Sequence, residues 1–558
     1  MGNVRRRSVL TITGALAGAT AVEWGLPRSQ AIAATGSANA GGKATPITVL
    51  PDDPRYPELT VGHNTRWVGT PDYVRLVRST DEVVQAVRDA VRADKRVSVR
   101  SGGHCYADHV FNPDVKVVID MTMMSAVSYD EERKAFAVEA GATLMDVYQR
   151  LYKGWGVGLP AGMCYSVGAG GHVTGGGFGL LSRQYGLTVD HLDAVEVVVV
   201  DDDGTVRSVV ATRDEQDPHH DLWWAHTGGG GGNFGIVTRF WFRTPGASGA
   251  EPSGQLMRPP KDVLLSAVTL PWAELDKQRF TTLLRNYGTW HERNSAPDSP
   301  YAPLCGLLML NHKANGNVGL VTQIDASVPD AEGKLKKYLS TITSTVGIDT
   351  QPMTEPVGEQ PPLPDLFTPQ RIPWLTSVRL IGTHYPSLTN PTLRGAYKSA
   401  YQRKGFTGAQ IASLYQHLTR SDHKNPMSNL ILFPYGGKVS EVKPSETATA
   451  QRDSVFKALF STQWTGKSGD TDNVTWLREI FTDVYSSTGG YPAPNASTDG
   501  CYVNYQDSDI TDPKLNTSGV PWHTLYYKDH YPRLTRVKAK YDPKNVFRHA
   551  QSVQLPTS

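Results

Sequence analysis

Two residues suited to nucleophilic chemistry follow a pair of glycines early in the chain. The segment RSGGHCYADH, residues 100–109, places His104 and Cys105 directly after Gly102 and Gly103. Glycine lacks Cβ, so the backbone N–H groups of such a turn can approach a bound molecule closely. Imidazole and thiol side chains are common nucleophiles and metal ligands. The segment therefore predicts a binding loop that carries a reactive side chain.

Two further glycine clusters occur in the same part of the chain. Residues 162–186 contain nine glycines and include Cys164, and five consecutive glycines occupy residues 228–232. Consecutive free amides can form a nest for an anion such as a pyrophosphate. No cluster has the full dinucleotide fingerprint, GxGxxG after a first strand with an acidic residue about 20 positions on, and none is a P-loop. Structural turns are the alternative, but three clusters in one region favour binding.

Alternating strands and helices must position these clusters. Apolar patterns predict strands over residues 73–79, 96–103 and 115–121, and helices over 80–94, capped by Thr80, and from about Thr143. A hairpin is predicted to turn at Asp203–Gly204. After residue 246 apolar strands mix with helices, which indicates a second α+β domain with an antiparallel sheet.

Composition and the N-terminus limit the function classes. The chain has 558 residues and a net charge of +2, too balanced for a nucleic-acid-binding protein. Its four cysteines are too few for a disulfide scaffold and form no CxxC pair.

The N-terminus has the features of a targeting signal. Arg5–Arg7 and a short apolar stretch predict a twin-arginine signal peptide and lead-in over residues 1–40, hence secretion. A disordered basic tail is the alternative. No other segment is apolar enough to predict a membrane span.

Four sequence blocks resemble one family. They are VRSGGHCYADHV (99–110), PAGMCYSVGAGGHVTGGGFGLLSRQYGLTVDHL (160–192), GGGGGNFGIVT (228–238) and YDPKNVFRHAQSV (541–553). In this order they resemble the berberine-bridge-enzyme type of FAD-linked oxidase in the vanillyl-alcohol-oxidase, or p-cresol methylhydroxylase, superfamily. Within it they are most similar to bacterial oxidases of sugars and glycosylated natural products of the aclacinomycin oxidoreductase type.

The resemblance implies an α+β fold. Its parts would be a two-subdomain FAD-binding domain of the p-cresol methylhydroxylase type at residues 60–246, an α+β substrate domain with a large antiparallel sheet at 247–500, and a C-terminal segment at 501–558 that returns to the FAD domain. The similarity runs from about Trp67 to the C-terminus.

The resemblance also implies FAD held by two covalent bonds. His104 would bond to the 8α-methyl group and Cys164 to C6 of the isoalloxazine, whereas the alternative makes them an ordinary core histidine and a small buried hydrophobe. Gly235 and Val237 are expected near the adenine end or the ribityl chain. The amides of Ser101, Gly102, Gly103, Gly168, Gly170 and Gly171 are expected to face the pyrophosphate. The candidate cofactor-binding residues also include Arg100, Cys105, His172, Gly175 and Asn504. Cys105 would point away from His104 in an extended chain and is interpreted as packing.

An alcohol oxidase needs a base for the hydroxyl proton, and the resemblance places it in CYVNYQD, residues 501–507. We predict a strand there, with Tyr502 as the base and Asn504 on the same face. Tyr505 and Tyr435 are alternatives, and both tyrosines of the strand could instead fill the sheet. Phe178 occupies a position at which several sugar-oxidising relatives carry tyrosine. The contact that the tyrosine hydroxyl would make is therefore missing.

The expected function is oxidation of a substrate alcohol, a sugar or a glycosylated natural product, with hydride transfer to covalent FAD and reoxidation by O2 to give H2O2. The expected partners are this small molecule and O2, with no nucleic acid, and the oligomeric state stays open. A dehydrogenase, an oxidative cyclase of a secondary metabolite and a non-catalytic flavin-binding secreted protein remain alternatives. We predict no metal, because His219, His220 and His226 lie beside a glycine loop without suitable carboxylates.

Overall fold

The first glycine loop extends from a small mixed sheet. The computed structural model describes residues 45–382 and 390–556, so the predicted signal peptide lies outside the described residues. The sheet has the order β1-β2-β4-β3, with β1 at Ile47–Val49, β2 at Tyr73–Leu76, β3 at Val97–Arg100 and β4 at Val117–Asp120. Strands β2 and β3 run parallel to β4, and such pairing needs crossover connections.

The helix Thr80–Arg92 lies between β2 and β3 in the chain. The side chain of Ser79 accepts a hydrogen bond from the Glu82 N–H, so Ser79 is the N-cap and the predicted cap Thr80 is the first helical residue. The helix Leu144–Trp155 begins after Thr143, where it was predicted, and Thr143 and Asp146 form a reciprocal capping box.

A five-stranded antiparallel sheet follows, with the order β5-β6-β9-β7-β8. Its strands are β5 at Val127–Asp130, β6 at Ala135–Glu139, β7 at Leu192–Val200, β8 at Val206–Thr212 and β9 at Ile236–Phe242. The hairpin between β7 and β8 turns at Gly204, as predicted, where φ is 87°.

The predicted large antiparallel sheet is present. Its order is β13-β10-β12-β11-β16-β17-β15, and β14 pairs with β10. The strands are β10 at Asp262–Pro271, β11 at Leu304–Asn311, β12 at Asn317–Asp325, β13 at Gln351–Pro352, β14 at Gln370–Pro373, β15 at Leu393–Gln402, β16 at Ser428–Pro434 and β17 at Phe456–Thr465. The α+β fold class is confirmed, whereas the domain boundaries stay a prediction.

Helices connect and cover these sheets. Besides the two helices already given, they are Tyr56–Leu59, Ala169–Thr174, Ser182–Tyr185, His220–Ala225, Lys277–Arg293, Ala331–Thr343, Trp374–Ile381, Gly408–Thr419, Asp470–Val484, Trp522–Tyr527 and Tyr531–Tyr541. No helix within residues 45–382 and 390–556 combines the length and apolarity that crossing a membrane requires.

The C-terminal segment contacts the third glycine cluster and the large sheet. Tyr527 donates its hydroxyl to the Gly229 carbonyl at 3.0 Å, and Lys538 donates to the Asn233 carbonyl at 2.7 Å. Lys398 of β15 donates to both carboxylate oxygens of Asp507 at 2.8 Å. These bonds join the C-terminal segment both to the third glycine cluster and to the large sheet.

A buried ion pair joins the block at residues 160–192 to the segment that precedes β17. The Arg452 guanidinium contacts the Asp190 carboxylate at 2.8 and 3.1 Å, and both side chains are less than a tenth exposed. Asp190→Asn leaves the guanidinium without a counter-ion, so we expect the free energy of unfolding to fall by about 3–5 kcal/mol. Chemical denaturation measures this. Glu441→Gln, which breaks the exposed pair with Lys438, should cost at most about 1 kcal/mol, and equal losses would contradict the prediction.

Candidate active site

A cavity of about 310 Å³ receives residues from each sheet and from the C-terminal segment. Two predicted site residues do not line it, Gly175 and Tyr435. A Cβ on Gly175 would lie 2.1 Å from the Asn504 side chain, so this glycine makes room for Asn504. The predicted residues on the cavity wall are Arg100, Ser101, Gly102, Gly103, His104, Cys105, Cys164, Gly168, Gly170, Gly171, His172, Gly235, Val237, Tyr502, Asn504 and Tyr505.

Two glycine loops interlock on one side of the cavity. A Cβ on Gly102 would lie 2.2 Å from the Gly168 nitrogen, and one on Gly168 would lie 2.0 Å from the Ser101 hydroxyl oxygen. Gly103 has φ +75°, a left-handed conformation that favours glycine. A Cβ on Gly171 would meet no atom within 4 Å. The loops therefore leave a cradle with room for a cofactor against their backbone amides, which suits a pyrophosphate.

The structure brings His104 and Cys164 to a single hydroxyl group. The Ser166 hydroxyl lies 2.9 Å from His104 Nε2 and 3.8 Å from Cys164 Sγ. The His63 ring stacks on that of His104 with centroids 4.8 Å apart. Burial, and to a lesser extent the neighbouring His63 and Arg100, hold the pKa of His104 well below its usual value. His104 is therefore a neutral imidazole.

Arg100 and Cys105 flank this pair with protein partners of their own. Arg100 Nη1 contacts the buried Asp120 carboxylate at 2.6 Å, because the two residues are register partners in β3 and β4. Burial raises the pKa of the Cys105 thiol to about 11, although backbone N–H groups donate to its sulfur. Cys105 is therefore a protonated, unreactive thiol, which agrees with its interpretation as packing.

His172 links the second glycine loop to residues 501–507. Its Nε2 accepts a hydrogen bond from the Gly162 N–H at 3.2 Å, and its carbonyl accepts one from Asn504 Nδ2 at 3.0 Å. Burial lowers the pKa of His172 to about 3, so its ring is neutral. Gly235 and Val237 contact the neighbouring strand β7. Gly235 lies against the Val198 carbonyl, and Val237 of β9 pairs with Val197 of β7.

The strand predicted for residues 501–507 is wrong, because the segment forms a turn in which the Tyr505 N–H donates to the Tyr502 carbonyl at 2.9 Å. Both tyrosines therefore line the same cavity, with ring centroids 5.0 Å apart. Asn504 Nδ2 donates to the Tyr502 hydroxyl at 3.2 Å, and the Gly177 N–H donates to it as well. Burial raises the pKa of Tyr502, whereas these two donors lower it.

Sequence reasoning missed a buried lysine beside Tyr502. Lys457 Nζ lies 3.7 Å from the centroid of the Tyr502 ring and 3.5 Å from that of Phe178. Within the described part of the chain this amine has no hydrogen-bond partner. Burial and the charge of Arg452 hold the pKa of Lys457 well below its usual value. The available sequence signal was one lysine in the otherwise apolar start of β17, FKALF.

Tyr435, by contrast, faces the protein interior. Its hydroxyl donates to the Gln451 carbonyl at 3.1 Å, and its side chain is fully buried. Its ring lies 4.7 Å from Lys457 Nζ, so it belongs to the surroundings of that amine.

The large sheet supplies an apolar wall to the same cavity. Its members come from β11, β16 and β17 and are Cys305, Leu307, Met309, Ile431, Phe433 and Leu459. Such a wall, facing a few polar groups, is typical of a site for an organic ligand.

Comparisons with known proteins identify the family of the chain and its cofactor. The family described as FAD binding domain matches residues 71–209, and the family described as berberine and berberine like matches residues 501–554. The chain is 45% identical to the aclacinomycin-N/aclacinomycin-A oxidase of Streptomyces galilaeus, over 98% of this chain and 95% of that protein. It is 31% identical to the hexose oxidase of Chondrus crispus, over 90% of this chain and 93% of that protein.

A solved structure agrees with these relatives. A glycopeptide hexose oxidase, crystallised in complex with teicoplanin, superimposes with a TM-score of 0.85 and 46% identity, over 92% of this chain and 99% of that one. Fold and site thus define an FAD-binding oxidoreductase of the p-cresol methylhydroxylase architecture. Within that class, the chain belongs to the berberine-bridge-type FAD-linked oxidases.

Proposed function

We propose that the protein oxidises a hydroxyl group of a sugar, free or attached to a natural product, to a carbonyl group. In the overall reaction O2 is reduced to H2O2. The main support is the position of the Tyr502 phenol, on the wall of the cavity that His104 and Cys164 also line. The names of the relatives, an oxidase of aclacinomycins and oxidases of hexoses, support the substrate class.

Each residue near the phenol has a distinct task in this proposal. Tyr502 accepts the hydroxyl proton of the substrate, and the donors Asn504 and Gly177 stabilise the charge on its oxygen. The apolar wall excludes water from the reacting carbon. Bound FAD supplies the acceptor for the hydride that leaves this carbon.

A screen of sugars and glycosides in air tests the proposal. The purified holoenzyme should release one H2O2 for each carbonyl group formed, measured by a peroxidase-coupled assay and by oxygen uptake. Flavin bleaching by a substrate without oxygen uptake would indicate a dehydrogenase instead. A flavin that no hydroxylated compound bleaches would support a non-catalytic flavin-binding protein.

We also propose that His104 and Cys164 both bond covalently to the flavin, each bond replacing one side-chain hydrogen and one flavin hydrogen while two electrons pass to O2. The neutral imidazole of His104 and the closeness of both side chains to Ser166 support this. The acid-precipitated protein should stay yellow, and mass spectrometry should find one FAD added to the polypeptide. His104→Ala and Cys164→Ala should each retain flavin through the remaining bond, whereas the double variant should release it on denaturation.

Cys105→Ala is the matched control for these variants. Its thiol is adjacent to His104 in sequence, but its raised pKa makes it a poor nucleophile, so both bonds should form. If neither single variant changes the flavin spectrum or the flavin-bearing peptides, the double attachment is incorrect.

Export through the twin-arginine route is part of the proposed function. That route carries folded proteins, so a covalently attached flavin could be acquired before export. Arg5–Arg7 and the apolar stretch after them support this proposal.

A further inference from the structure

Glu359 is the one carboxylate on the cavity wall among the residues that the structure describes. It lies in the loop between β13 and β14. Its side chain keeps partial exposure, as a group on a cavity wall does. Neither the fold nor the proposed proton transfer uses this carboxylate, so its presence needs another explanation.

The Gln463 amide joins the carboxylate to a stack of three aromatic rings. Gln463 Nε2 donates to Glu359 Oε1 at 2.8 Å and to the Tyr397 hydroxyl at 3.3 Å. The Tyr397 ring stacks on Tyr106 at 3.7 Å, and Tyr106 stacks on Tyr505 at 5.8 Å. Glu359 and the Tyr397 hydroxyl thus share one amide donor, and Tyr397 belongs to the stack.

The protein provides no cation for this carboxylate in the part of the chain that is described. Burial raises the pKa of Glu359, and the Gln463 amide is the one group that acts in the opposite direction. A desolvated carboxylate without a counter-ion is costly, and binding an ammonium group offsets that cost. A neutral hydroxyl could donate a hydrogen bond but would leave the charge uncompensated.

We propose that Glu359 binds a protonated amino group of the substrate, so that amino sugars are preferred over neutral sugars. This inference rests on the proposed function, because it assigns the substrate class of the same site. Glu359 and Tyr502 line the same cavity, so a sugar bound there could present its amine to the carboxylate and a hydroxyl to the phenol.

Three sugars that differ at one position test this inference. D-glucosamine carries the ammonium group, D-glucose a hydroxyl and N-acetyl-D-glucosamine a neutral amide at the same carbon. For each, kcat/KM of flavin reduction is measured in the holoenzyme by anaerobic stopped-flow absorbance. Wild type should prefer glucosamine over the neutral sugars by about tenfold or more, as expected for a charge-assisted hydrogen bond.

Glu359→Gln should remove most of this preference while it keeps a hydrogen-bonding side chain of the same shape. The loss should appear as a higher KM for glucosamine relative to the KM for glucose. Glu355→Gln, an exposed carboxylate four residues earlier on the same loop, is the control and should retain the preference.

The possible failures are distinguishable. Equal reduction by all three sugars in wild type, or an equal loss for glucosamine and glucose in Glu359→Gln, would overturn the amine site alone. A flavin that none of the sugars or glycosides reduces would overturn the proposed function and the amine site with it.

Discussion

Replacement of Tyr502 by phenylalanine is expected to slow flavin reduction by substrate by about 10²-fold or more, the usual range for loss of a general base. The change removes the oxygen that would accept the hydroxyl proton and keeps the ring, which is packed against Phe178 and Tyr505. The flavin should therefore stay bound with an unchanged spectrum. Anaerobic stopped-flow absorbance at saturating substrate measures the reduction rate.

The pH dependence of the same rate gives a second reading. Burial raises the pKa of Tyr502, so the phenol is protonated at neutral pH and its basic form increases as the pH rises. The reduction rate of wild type should consequently rise with pH, and this rise should be absent in Tyr502→Phe.

Tyr505→Phe is the control for this variant, because its ring lies beside Tyr502 on the same cavity wall. It should lower the rate far less than Tyr502→Phe does. The reverse order of effects would transfer the role of base to Tyr505.

The sequence predicts the glycine loops because a run of glycines is a local feature, whereas the pairing of His104 with Cys164 follows from the family resemblance and stays a prediction. Gly102 and Gly168 lie where two backbones approach so closely that a Cβ would not fit. In the sequence this requirement appears as runs of glycines. The large sheet is predictable for a similar reason, since its strands show alternating or continuous apolar patterns. Ser166 could have been found from its position two residues after Cys164, although nothing in the pattern shows that it also reaches His104.

The turn at residues 501–507 could not be predicted from alternation alone. The chain pairs with β15 up to Gly500, whose carbonyl accepts the Tyr401 N–H, and then leaves the sheet. The Cys501 N–H donates to the Leu525 carbonyl and the Tyr502 N–H donates to the Ser399 hydroxyl. These partners lie far away in sequence and take the donors that a strand ladder would use. Tyr502 and Tyr505 consequently share one wall instead of opposite faces.

The position of Lys457 in the site also could not be predicted from the local sequence pattern. It lies 45 positions before Tyr502 and reaches that ring only through the packing of β17 against residues 501–507. A single lysine in an apolar strand is compatible with an edge position at the surface. The structure instead buries it among aromatic rings, where its charge state can respond to that of the neighbouring phenol.

Lys457→Met is expected to slow flavin reduction at neutral pH by about tenfold or more. Burial disfavours an isolated ammonium at Lys457 and an isolated phenolate at Tyr502, whereas the two together are neutral overall. As negative charge develops on the phenol, the neighbouring amine gains a proton from solvent, and the resulting ammonium over the aromatic ring contributes about 1–2 kcal/mol. Its removal should raise the pKa that governs reduction by about one unit. The rise of the rate with pH should move to higher pH accordingly.

The direction of the pH shift separates an electrostatic role from a structural one. A cavity left by the lysine would lower the rate by the same factor at every pH. Loss of the cation instead makes the difference in rate between wild type and variant shrink as the pH increases, because the phenol then ionises without the amine. Lys443→Met, at an exposed lysine before β17, should change neither the rate nor the profile. A uniform loss in Lys457→Met, or a profile that moves to lower pH, would show that Tyr502 ionises independently of this amine.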